Sequence, residues 1–224
     1  MDTTQPRLSA NELGKFVWSS DIQKRRILRD QKFPKPIRTS YYQRASSIIL
    51  RSLNGGVFCE NMLRQGLNKI QSMPAETPHK ARVLRGNATA VRRFLTIHEK
   101  AAPPAGEHQI IRNNAEFEFE GIRISVRPDI LTKNINGKFF TYSKLRISSD
   151  RYSLDASEIV LLLIQKFAEQ QRFENLDFDA SRARLIDCFS QQIFEGHNVS
   201  PYKGQQLMKA LAEIRSMWPF IGEN

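Results

Sequence analysis

Apolar residues recur every three or four positions through the first hundred residues and every second position just after them, so the chain reads as helices followed by a sheet-bearing half. Ser9-Ala10-Asn11-Glu12 has the spacing of a capping box ahead of Leu13, Phe16 and Val17, which predicts a short helix there. Two prolines in Phe33-Pro34-Lys35-Pro36 impose an extended connector. Ser40 is placed to cap a helix carrying Ala45, Ile48, Ile49 and Leu53, ended by Gly55-Gly56. Phe58 to about Met73 fits another helix, with Met62, Leu63, Leu67 and Ile70 on one face. From Pro78 to about Lys100, Ala81, Leu84, Ala88, Val91, Leu95 and His98 form one continuous stripe, with Arg82, Arg85, Arg92 and Arg93 mostly off it.

Ala101-Ala102-Pro103-Pro104-Ala105-Gly106 breaks this pattern and marks a junction. Phe117 and Phe119 then alternate with glutamates, Gly121 turns the chain, and Ile122, Ile124 and Val126 alternate with Arg123, Ser125 and Arg127, which predicts a hairpin. A second turn falls at Asn134-Ile135-Asn136-Gly137, before a third strand from Lys138 to Ile147. A helix is expected from Asp155 to about Gln171, and its apolar run Ile159–Ile164 implies burial on more than one side. Strands at 182–189 and 192–195 follow, then a helix opened by Ser200-Pro201 with Leu207, Leu211, Ile214 and Trp218 inward. The expected fold class is α+β: a helical region over 1–105 and an α/β core over 106–224 with a mixed sheet flanked by helices.

Charge adds a partner to this picture. The chain has 34 Lys+Arg against 23 Asp+Glu, a net charge of +11. Residues 1–100 hold 19 basic and 7 acidic residues, whereas residues 101–224 hold 15 and 16, so the excess belongs to the helical half. Such an imbalance points to nucleic acid, with an acidic protein partner or a simple solvated surface as alternatives. Lys24, Arg25 and Arg26, together with Arg82, Arg85, Arg92 and Arg93, are the candidate phosphate contacts. The longest apolar run has six residues, which excludes a spanning helix, and the first residues lack a signal-peptide pattern, so a cytoplasmic protein without membrane contact is expected. Cys59 and Cys188 form no disulfide framework, and neither they nor the four histidines have metal-ligand spacing.

The chemistry centres on Val126-Arg127-Pro128-Asp129 and on Lys144 in Thr141-Tyr142-Ser143-Lys144. An aspartate at a strand end and a lysine on the next strand can converge on one point, where the carboxylate would hold Mg²⁺ and the ammonium would orient water or stabilise developing negative charge. From Glu116 to Gln171 the segment resembles the PD-(D/E)XK nuclease superfamily, whose signature is Pro-Asp, a turn, then acid-x-Lys on the next strand, followed by a helix. The whole chain is also similar to a family of bacterial proteins that combine basic N-terminal helices, a Val-Arg-Pro-Asp strand, a Lys-Leu-x-hydrophobic-Ser strand and an ending like Met217-Trp218-Pro219. The superfamily resemblance implies a restriction-endonuclease-like core, a metal bound by Asp129, and Asp129 and Lys144 as catalytic residues. The superfamily's acid two residues before Lys144 is replaced by Tyr142; an acid can migrate to a neighbouring element in this superfamily, so Glu118 (the catalytic candidate), Glu120 or Glu158 could substitute, although Glu116, Glu118 and Glu120 equally form the polar face of an ordinary exposed strand. The Gln-x-x-x-Tyr signature of RecB-like members is also absent, since Gln165 is followed four residues later by Glu169. Two functions are consistent with this reading. One is a nucleic-acid-binding protein, and a Mg²⁺-dependent phosphodiesterase if the site is intact, in a bacterial defence or mobile-element setting. The other is a catalytically silent subunit that docks an acidic partner.

Overall fold

A computed structural model describes residues 4–34, 41–53, 59–102, 105–111, 115–150, 152–171 and 176–223. The fold is α+β, with mixed sheets flanked by helices. In chain order its elements are β1 (Arg7–Ser9), α1 (Ala10–Trp18), α2 (Asp21–Lys32), α3 (Gln43–Ser52), α4 (Glu60–Gln71), α5 (Pro78–Leu95), α6 (His98–Ala101), β2 (Glu107–Ile110), β3 (Glu116–Phe119), β4 (Ile122–Ser125), β5 (Ile130–Lys133), β6 (Phe139–Arg146), α7 (Leu154–Gln170), β7 (Asp177–Phe178), β8 (Arg184–Asp187), β9 (Gln192–Glu195) and α8 (Tyr202–Met217).

The six-stranded sheet runs β2-β5-β6-β8-β9, with β7 also paired to β6. β2, β5 and β6 form an antiparallel meander; α7 then carries the chain over to β8, which lies parallel to β6, and β9 returns antiparallel. Strand alternation gives the sheet two different faces. Ile130, Leu145, Ile186 and Ile193 face a core shared with Leu63, Leu84, Val91 and Phe94 of the helical layer α3–α6. Leu131, Phe140, Tyr142, Leu185 and Phe194 face the other core, with α1, α7 and α8. α7 lies deep in that second core, and its run from Ile159 to Ile164 is buried except at Leu162, as its lack of a polar face requires.

The hairpin β3–β4 forms as expected but does not join the large sheet. It pairs instead with β1, parallel to β4 in the register Arg7↔Arg123 to Ser9↔Ser125, and makes a separate three-stranded sheet. The expected division at 105/106 is therefore crossed: β1, α1 and α2 pack with the C-terminal half. α1 starts where its cap predicts, with the Ser9 side chain accepting from the Glu12 amide. Gly14 lets α1 lie directly on α7, since a Cβ there would come within 2.6 Å of the Tyr152 hydroxyl and 2.7 Å of the Ala156 carbonyl. The Ser40 cap, Gly55-Gly56 and Phe58 lie outside the described residues. Among the described residues no helix is long and apolar enough to cross a membrane.

Candidate functional site

Between β4 and β5 the backbone leaves one sheet and enters the other, and the Arg127-Pro128-Asp129 step makes that transfer. Arg127 adopts a left-handed φ of 47°, uncommon for a side chain larger than glycine's. Its Nε donates to Ser125 Oγ at 3.1 Å, and its carbonyl accepts from Lys144 Nζ at 2.8 Å. Asp129 sits immediately before β5: its amide donates to the Ser143 carbonyl, its carbonyl accepts from Ile111, and Oδ2 accepts from the Leu145 amide at 2.7 Å. The two residues expected to converge thus flank the same junction. Lys144 is buried.

Their electrostatics follow from that burial. Burial raises the Asp129 carboxyl above its ordinary value, opposed by the Lys144 charge and by the Leu145 amide. Burial likewise lowers the Lys144 ammonium, opposed by Asp129 and reinforced by Arg127. Each group softens the other's desolvation, yet no hydrogen bond or ion pair joins them; the ammonium's hydrogen bond goes to the kink carbonyl.

Two residues beyond Lys144 on β6, Arg146 finds its partner in Asp187, an acid that stands out between Ile186 and Cys188 in the sequence. Arg146 and Asp187 are register partners on the parallel strands β6 and β8 and form an ion pair at 2.8 Å, 3% and 1% exposed. Asp187 Oδ1 also accepts from the Phe189 and Ser190 amides, so both of its oxygens are engaged. Arg146 reaches on to Asp150 at 2.8 Å and lies over the Tyr152 ring at 4.2 Å, while Lys15 of α1 binds Asp150 at 2.7 Å. The only local sign of this network was an acid, Asp187, inside an apolar strand; its arginine partner is 41 residues away.

The remaining acid candidates lie apart. Glu118 is exposed on β3 of the small sheet, opposite Arg123, and its backbone carbonyl accepts from Gln170. Glu120 pairs with Arg215 at 3.5 Å. Glu158 is buried and committed to Lys203 at 3.1 Å and to the Ser200 amide. Tyr142 packs edge-on against Phe140 and tilted against Phe167 and Phe178 in the apolar core. Mg²⁺ needs oxygen donors converging octahedrally. Asp129 offers one oxygen not held by the Leu145 amide, and among the described residues no three acidic, histidine or cysteine side chains are placed around a metal. The residues present do not fit the expected metal.

The basic candidates divide between two faces. Lys24, Arg25 and Arg26 lie on α2, which packs on the α1–α7 core, and Lys24 is held by Glu213 at 2.7 Å. Arg82, Arg85, Arg92 and Arg93 lie on α5, on the opposite side of the six-stranded sheet, and all four are exposed. Arg93 is engaged at the β8–β9 turn, donating to the Phe189 carbonyl and lying 5.2 Å over its ring. Arg82, Arg85 and Arg92 have no carboxylate partner among the described residues. Comparison with protein-family models gives no match, and comparison with curated proteins gives none.

Proposed function

We propose that this protein binds nucleic acid through the outer face of α5 and the helices beside it. The observation that carries the reading is the row Arg82, Arg85 and Arg92 on α5. Spacings of three and seven place these exposed guanidiniums on one stripe, and the 18 residues of the helix include no acid. The span 41–102 as a whole has ten basic and three acidic residues. Exposed guanidiniums that have no carboxylate partner among the described residues suit a polyanion.

In this reading the buried charges around Asp129 and Lys144 brace the junction between the two sheets. The test is a salt titration of binding to labelled duplex and single-stranded oligonucleotides. Log affinity should fall linearly with log salt, and Arg82→Gln/Arg85→Gln/Arg92→Gln should flatten the slope by about 2 to 3, at about 0.7–0.9 per phosphate contact. Binding indifferent to salt, or an unchanged slope in the triple variant, would refute it. A stoichiometric protein complex that survives nuclease treatment and is lost in the same variant would assign the surface to an acidic protein instead.

A further inference from the structure

A cleft of about 840 Å³ opens between α3, α4 and α5, in the size range of sites that enclose small ligands. Its floor is apolar: Ile48, Ile70, Met73 and Val83. Arg44 and Arg51, two helical turns apart on one face of α3, stand at its edge with Lys69 of α4. No acidic residue lines it, and among the described residues these three cations have no carboxylate partner.

The walls are held in place. Asn87, fully buried on α5, donates to the Tyr41 carbonyl at 2.7 Å and accepts from the Ala45 amide at 2.8 Å, fastening the start of α3 to α5. Tyr41 donates its hydroxyl to the Arg82 carbonyl at 2.6 Å and rests on Gly86, where a Cβ would come within 2.5 Å of the ring. Gly66 gives α3 the same close approach to α4, since its Cβ would lie 2.5 Å from Ile48 Cγ2. An oriented aromatic ring therefore stands in an apolar recess edged by Arg44, Arg51 and Lys69.

We propose that this cleft takes an unpaired nucleotide of a single-stranded nucleic acid, its base against Tyr41 and Ile48 and its phosphates on Arg44, Arg51 and Lys69. This deepens the reading of α5 as a nucleic-acid surface and rests on it. A duplex keeps its bases stacked inside and presents phosphates alone, for which an apolar recess serves nothing; a single strand offers both a flat base and a polyanionic backbone.

The experiment compares anisotropy titrations of a single strand carrying one 2-aminopurine with its matching duplex, on the full chain. The single strand should bind at least about ten-fold tighter, with a change in 2-aminopurine fluorescence on binding. Tyr41→Leu, which removes the ring, and Ser47→Trp, which fills the recess, should each weaken the single strand about ten-fold or more, since stacking on one aromatic is worth that much. Duplex affinity should stay within two-fold. Arg44→Glu/Arg51→Glu, both exposed, supplies an independent reading should either cleft variant fail to fold. Equal affinity for both forms, with no effect of the cleft variants, overturns the cleft while leaving α5 as a nucleic-acid surface. Failure of either nucleic acid to bind at low salt overturns the underlying reading as well. Displacement of a fluorescent fatty-acid probe that excess oligonucleotide cannot compete would assign the cleft to a lipid and overturn it too.

Discussion

The Arg146–Asp187 pair ties the ends of the two parallel strands together, and Asp187→Ala tests how much it holds. The substitution removes one member of an ion pair whose side chains are 3% and 1% exposed and leaves Arg146 with Asp150, which is 44% exposed, as its remaining carboxylate. It also removes the acceptor of the Phe189 and Ser190 amides, at 3.0 and 3.3 Å. Breaking a buried pair by deleting one partner costs about 3–5 kcal/mol. With a urea m-value of about 2 kcal/mol per M, the unfolding midpoint should fall by roughly 1.5–2.5 M. Asp187→Asn keeps an oxygen for the two amides and so should recover about 1–3 kcal/mol of that loss, two hydrogen bonds at about 0.5–1.5 each. Arg146→Met added to Asp187→Asn should cost less than the two single losses combined, because no uncompensated charge remains. Urea unfolding followed by far-UV circular dichroism measures the wild type and the four variants, Arg146→Met alone included. A midpoint for Asp187→Ala within about 0.5 M of wild type, or identical losses for Asp187→Ala and Asp187→Asn, would refute the reasoning.

Gly14→Ala should destabilise the fold by about 1–3 kcal/mol, because its Cβ would strike the Tyr152 hydroxyl and the Ala156 backbone; an unchanged thermal midpoint would contradict close α1–α7 contact. Lys144→Met should raise the Asp129 carboxyl further, as the opposing charge is lost, which carbon-detected NMR titration of the aspartates reads directly. Asp150 works in the opposite sense. Burial disfavours its ionised form, but Lys15 and the Arg146 charge outweigh burial and hold the group below its ordinary 3.8. Its stabilisation is therefore present above pH 3.8 and lost as pH falls through the lower folded-state value, so Asp150→Asn should flatten the acid limb of a midpoint-against-pH curve and leave the neutral region parallel to wild type. Millimolar Mg²⁺ should leave the melting temperature unmoved; a rise that disappears in Asp129→Asn would restore a metal to this site.

Much of the architecture was legible in the sequence because its signals are local. The Ser9 cap, the β3–β4 alternation, the strand bearing Lys144, the all-round apolar α7 and the Pro-led α8 each follow from spacing within a dozen or so residues, and each is present. So is the confinement of excess charge to the first hundred residues. That Asp129 and Lys144 lie at one junction followed from their flanking one antiparallel connection, although no hydrogen bond or ion pair joins them.

What only the tertiary structure decided involves partners distant in the chain. β1 pairs with β4 across more than a hundred residues, and three residues with no alternation of their own announce nothing of it. The left-handed Arg127 moves the chain from one sheet to the other, so the hairpin and the Asp129 strand, continuous in pattern, part company. Lys144 and Arg146 share a strand face with Phe140 and Tyr142, and once tertiary packing buries that face one ammonium must find a carbonyl and one guanidinium a carboxylate. The same distinction separates the basic residues: all carry the charge the sequence promised, but the sheet stands between α2 and α5, and only burial and pairing tell which cations remain open to a partner.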